Sequence, residues 1–96
     1  MLKHIVMFKL KEENFDTNIL ELKDKLDQLK NKIPQLVKLE TGINTSESPS
    51  AFDLVLLTVF NDEQALNIYR EHPDHRNVLS LVKEITEELK VVDYYL

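Results

Sequence analysis

Seven consecutive residues, Tyr69-Arg70-Glu71-His72-Pro73-Asp74-His75, concentrate the side chains of this chain that could handle protons. Two of the three histidines of the 96-residue sequence lie there; the third, His4, opens the other end. Imidazole is the side chain whose ordinary charge change falls near neutral pH. A neutral His75 could take a proton from an acidic carbon, with a neighbouring carboxylate or carbonyl fixing its tautomer. Tyr69 could donate its hydroxyl to a developing enolate or hold a carbonyl. Both side chains also have a structural use. His75 falls in the first turn of a helix, where it could simply make a capping hydrogen bond, and His72 ends a helix, where a cation suits the dipole. His72 and His75 have a spacing that metal ligands use. Only Glu71 or Asp74 could add a third ligand, and Pro73 splays the helix, so neither a metal site nor a cofactor is expected.

Pro73 sets the frame for this segment. It forces a joint between two helical stretches and so fixes where the rings can point. The short helix before the joint starts at Asn61-Asp62-Glu63-Gln64, with Asn61 as cap and Gln64 reaching back. It carries Ala65, Leu66, Ile68 and Tyr69 and stops near His72. Asp74 is placed to cap the next helix, whose apolar stripe reads Val78, Leu81, Val82, Ile85 and Leu89.

Strands account for most of the rest. Residues 2–10 alternate, with Leu2, His4, Val6, Phe8 and Leu10 on one face and Lys3, Ile5, Met7 and Lys9 on the other. A histidine on so apolar a face suits a satisfied core residue, and Asp93 in the last strand is its natural partner. Ile19, Leu22, Leu26, Leu29 and Ile33 recur at helical spacing, giving an amphipathic helix from about Asp16 to Asn31 that ends before Pro34. A second strand runs from about Leu36 to Asn44 and contains Gly42, the only glycine, as a candidate bulge or close approach. Residues 45–50 are loop-like, residues 51–60 form the most strand-like segment, and residues 91–96 close the chain as a strand in which Tyr94 and Tyr95 face opposite ways.

The order β-α-β-β-α-β is the split βαβ, ferredoxin-like plan of the α+β class, an antiparallel four-stranded sheet with helices on one face. Residues 1–96 are expected to form a single domain. The third strand is apolar on both faces, whereas a one-sided sheet alternates apolar and polar. Two helical regions cover only one face, so the other calls for a second copy packed sheet against sheet as a homodimer. A monomer that uses the sheet face as a ligand groove, or one that meets a different partner there, is the alternative.

Composition excludes several classes. The chain is 43% hydrophobic and 30% charged, as soluble globular proteins are. With no cysteine it has no disulfide, thiolate metal site or cysteine nucleophile. The net charge of −5, with no basic block, disfavours nucleic acid. No run approaches a membrane span, and the opening residues are too short and interrupted for a signal peptide, so a cytoplasmic location without membrane attachment is expected. No phosphate-binding glycine loop and no nucleophile elbow is present.

The opening Lys3-His4-Ile5-Val6-Met7-Phe8-Lys9-Leu10, the Tyr69-x-x-His72-Pro73-x-His75 segment and the closing Val92-Asp93-Tyr94 together resemble the stress-responsive α/β-barrel domain (Dabb) family. The resemblance implies a dimeric α+β barrel. Many members of that family have no assigned activity. One plant member is a polyketide cyclase that closes a ring by intramolecular aldol condensation, with a tyrosine and the second histidine of the motif at its pocket. The resemblance carries those roles to Tyr69 and His75. It makes His4 a histidine lining the same pocket and His72 the first histidine of the motif.

Three functional readings follow. The first is a homodimer that binds a small apolar or carbonyl-containing molecule near His75, with His4, His72 and Asp93 as further ligand-binding candidates. The second is a cofactor-free polyketide cyclase-like or lyase-like enzyme with His75 as base and Tyr69 as hydrogen-bond donor. The third is a structural, stress-associated assembly module in which the histidines serve the fold alone.

Overall fold

The structure, a computed structural model, describes residues 1–96. Strand β1 (Leu2–Leu10) is followed by helix α1 (Phe15–Gln28), which tightens into a 3-10 turn over Leu29–Asn31. Strands β2 (Lys38–Ile43) and β3 (Leu54–Phe60) follow, then helices α2 (Glu63–Glu71) and α3 (Pro73–Ile85), then β4 (Thr86–Tyr95). The four strands form one antiparallel sheet in the order β2-β3-β1-β4. This is the ferredoxin-like plan, with its second helical region split at Pro73. No helix is long and apolar enough to cross a membrane.

The two hydrophobic periods meet in the core. Leu2, Val6, Phe8 and Leu10 of β1 and Leu54, Leu56 and Phe60 of β3 point to one side. There they pack against Ile19, Leu22 and Leu26 of α1, Leu66 and Tyr69 of α2, and Val78, Val82 and Ile85 of α3. Burying each such side chain contributes about 1.5–3 kcal/mol, so this face fixes which way the strands turn. The helices seat on the sheet with local polar ties as well. Thr41 Oγ1 of β2 donates to Asp27 Oδ1 of α1 at 2.5 Å, and Lys23 Nζ donates to both side chains. Partial burial pushes the Asp27 carboxyl up, but these hydrogen bonds outweigh it and hold it below the usual carboxylate range.

The opposite side of the sheet carries Ile5 and Met7 of β1, Val55, Leu57 and Val59 of β3, and Val92 and Tyr94 of β4, matched across the ladders. Much of it is open: Val92 keeps 52% of its surface exposed and Tyr94 41%, although Val59 is buried.

Several local expectations are corrected. Helix α2 is capped by Asp62, whose Oδ1 accepts from the Ala65 N–H at 2.9 Å, and not by Asn61. Helix α3 is capped by His72, not by Asp74, because Pro73 occupies the first helical position and leaves the residue before it as the cap. Gly42 makes no bulge. The β2–β3 register runs unbroken through Gly42 and Val55, and a methyl group there would lie 3.4 Å from Val55 Cγ1, an ordinary contact. The register shift falls instead at Lys9 and Leu10 in the β1–β4 ladder, where Asp53 Oδ2 takes the Leu10 N–H at 2.8 Å. Leu89 belongs to β4 and not to the last helical stripe. Its spacing from Ile85 suits either period, but α3 stops at Thr86, whose backbone is extended and whose hydroxyl closes on the Val82 carbonyl. From there the chain gains a ladder to β1 along its full length.

Candidate functional site

Under the helices, between the sheet and the α2–α3 joint, lies a cavity of about 140 Å³. His4, Val6 and Phe8 reach it from β1, Leu56 from β3, and Leu89 and Val91 from β4. Tyr69 and Arg70 enter from α2, His75, Val78, Leu79 and Val82 from α3, and Leu26 from α1. Of the residues expected at a site, Tyr69, His75 and His4 therefore share one cavity. A more open groove of about 450 Å³, with Met7, Phe52 and Val55 in its wall, carries no ionisable side chain.

Tyr69 is fully buried. Its ring lies between those of Phe60, at a centroid distance of 5.0 Å, and His75, at 4.4 Å, with His4 at 6.4 Å. Helical spacing puts Leu66 and Tyr69 on the same buried side of α2. The Tyr69 hydroxyl is buried without a hydrogen-bond partner. Burial raises its pKa far above the ordinary phenol value, so it remains a donor at all physiological pH.

His75 sits in the first turn of α3, where its side chain reaches back to α2. Its Nδ1 is 3.0 Å from the Arg70 carbonyl, one of the carbonyls that the end of α2 leaves without a helical partner. A carbonyl only accepts, so Nδ1 carries the proton and Nε2 keeps its lone pair. Burial lowers the His75 pKa below the ordinary histidine value. The Arg70 carbonyl acts the other way, and the nearby His4, Arg70 and His72 add to the lowering. The ring is therefore neutral at pH 7, with Nε2 available as a base.

His4 and Asp93 are directly opposed in the β1–β4 ladder, as the alternation of the two strands suggested. His4 is buried, and its Nδ1 donates to Asp93 Oδ1 at 2.5 Å. Asp93 Oδ2 accepts from the Arg70 guanidinium at 3.2 Å. Arg70 therefore connects twice to the site, holding His75 through its carbonyl and Asp93 through its side chain. Its position beside Tyr69 in the sequence was the only hint of that role.

His72 and Asp93 do not line the cavity. The Nδ1 of His72 accepts from the Asp74 N–H at 3.1 Å, so this ring serves the helix joint. Asp93 supports the wall through His4 and Arg70. Leu89 and Val91 are wall residues not expected at the site; the helical assignment of Leu89 conceals the first, whereas Val91 lies in the expected closing strand.

The chain is similar to known proteins along its whole length. The family model described as Stress responsive A/B Barrel Domain matches residues 2–96. A stress-response A/B barrel domain-containing protein of Arabidopsis thaliana is 27% identical over 103 residues, which cover 98% of this chain and 46% of the relative. This chain thus spans about half the length of that relative. An uncharacterized protein of Streptomyces coelicolor is 29% identical over 96 residues, covering 98% of each. Among solved structures, a dimeric protein of unknown function and ferredoxin-like fold from Bacteroides fragilis superposes with a TM-score of 0.90 at 27% identity, over 99% of this chain and 95% of that one.

Proposed function

This chain belongs to the stress-responsive A/B barrel domain family, and we propose that it is a homodimer whose subunits each bind a small apolar or carbonyl-containing molecule in the cavity beside His75. The observation that carries this reading is the Tyr69 hydroxyl. A buried polar group without a partner costs about 1–3 kcal/mol, and native proteins rarely keep one. A ligand oxygen in the cavity supplies the missing acceptor. The dimer joins through the open sheet face, where Ile5, Leu57 and Val92 present a partly exposed apolar surface. The dimeric state of the Bacteroides fragilis protein supports the same assembly.

A second reading, a cofactor-free cyclase-like or lyase-like enzyme, is favoured by the pinned tautomer of His75. Nε2 takes a proton from the carbon next to a carbonyl, and the electron pair moves onto the carbonyl oxygen. Tyr69 O–H holds the enolate so formed, which attacks a second carbonyl or expels a leaving group. The protonated His75 then returns its proton to the new oxyanion or the leaving group.

A search for ligands that co-purify, by native mass spectrometry and thermal shift, tests the binding reading. The expected result is a bound molecule lost in His75→Ala without loss of fold. A protein that carries nothing and is stabilised by no member of a carbonyl-compound panel would overturn it. Turnover of an activated carbonyl compound that vanishes in His75→Ala separates the enzyme from the binder.

A further inference from the structure

Size, lining and charge together narrow what the cavity can hold; the inference rests on the ligand-site reading above. An aliphatic cavity of about 150 Å³ takes a single benzene ring. The cavity here, at about 140 Å³, is of that size, and 10 of its 13 lining residues are hydrophobic. Its polar equipment is sparse and specific. Tyr69 offers a buried hydroxyl hydrogen with no acceptor, and the Nε2 of His75 makes no hydrogen bond within the chain.

No free charge faces this space. The Arg70 guanidinium is met by Asp93, and the other oxygen of Asp93 holds His4. A carboxylate ligand would bury its charge among mostly hydrophobic side chains, with Arg70 already shared with the exposed Asp93, an arrangement that costs more than it gains. A neutral oxygen needs only the hydrogen that Tyr69 already has to give.

We propose that the cavity selects compact, uncharged, single-ring compounds carrying one hydroxyl or carbonyl oxygen, and discriminates against carboxylates of the same size and against two-ring compounds. Such an oxygen accepts from Tyr69 O–H, and a hydroxyl hydrogen on it points to His75 Nε2. The ring occupies the space between Phe8, Leu56, Val82 and Leu89.

Titration of the full chain with phenol, benzoate and 1-naphthol, followed by amide chemical shifts, tests this. Phenol is expected to move the amides of Tyr69, His75 and Leu89 and to bind at least tenfold more tightly than the other two. In Tyr69→Phe, which keeps the ring and removes only the hydroxyl, phenol is expected to bind about threefold to tenfold more weakly, the worth of one net hydrogen bond. Benzoate or 1-naphthol binding at the same amides as tightly as phenol would overturn the selectivity while leaving the ligand site standing. Unchanged phenol affinity in Tyr69→Phe would overturn the role of the oxygen. Failure of all three compounds to move the cavity amides would overturn the inference, and a co-purifying ligand found in the same protein would show that the site itself survives.

Discussion

His4 Nδ1 lies 2.5 Å from Asp93 Oδ1, joining two residues 89 positions apart at directly opposed sites of the β1–β4 ladder. The same carboxylate receives Arg70 from α2, so one side chain ties a central strand, an edge strand and a helix. Asp93→Ala leaves the buried His4 N–H without an acceptor and is expected to cost about 1–2 kcal/mol, since Asp93 itself is exposed and solvent weakens its pairing. Urea unfolding measures it. A double-mutant cycle with His4→Ala should return a coupling of about 1 kcal/mol or more, and independent effects of the two changes would refute the pairing.

Tyr69→Phe should stabilise the unliganded protein by about 1 kcal/mol, because it removes a buried hydroxyl that has no partner. The same change should weaken ligand binding. Thermal and urea melts without ligand decide the first half. A net loss of stability would mean that the hydroxyl has a partner within the fold and is not held for a ligand.

The pH dependence follows from the lowered pKa of His75. A histidine that binds its proton less tightly when folded than when unfolded makes the unfolded state the better proton acceptor. Stability is therefore unaffected at high pH and falls as the pH drops through the unfolded value of about 6.5 towards the lower folded one. His75→Gln should flatten the stability profile between about pH 7 and 5 relative to the parent protein. Equal slopes for the two proteins in that range would contradict the buried, neutral ring. In the enzyme reading, activity should persist below pH 6.5, because the base stays unprotonated there.

Ile5 lies at the middle of the open sheet face, between Leu57 and Val92. Ile5→Glu places a charge in the proposed dimer interface without entering the core on the other side. The expected outcome is a folded monomer by light scattering and circular dichroism, against a dimer for the parent chain. A parent protein that runs as a monomer at micromolar concentration would dispose of the dimer.

The alternation of β1 and the helical stripe of α1 are visible in the residues themselves, because each period repeats several times and one face of each element must leave water. The sequence therefore determined the order of elements, the sheet face of His4 and the break at Pro73. Local ends were harder. A cap depends on one or two hydrogen bonds, and His72 displaced Asp74 only through the geometry Pro73 imposes. Leu89 fits a helix and a strand alike, and the ladder to β1 decided between them. The candidate site needed the tertiary structure most. Its quartet of Tyr69, Arg70, His75 and His4 converges from two helices and a strand, and the pairing of Asp93 with both His4 and Arg70 exists only once β4 lies beside β1. Residue types could nominate those side chains, but the free lone pair of His75 and the unpartnered hydroxyl of Tyr69 are properties of what surrounds them, and only folding supplies the surroundings.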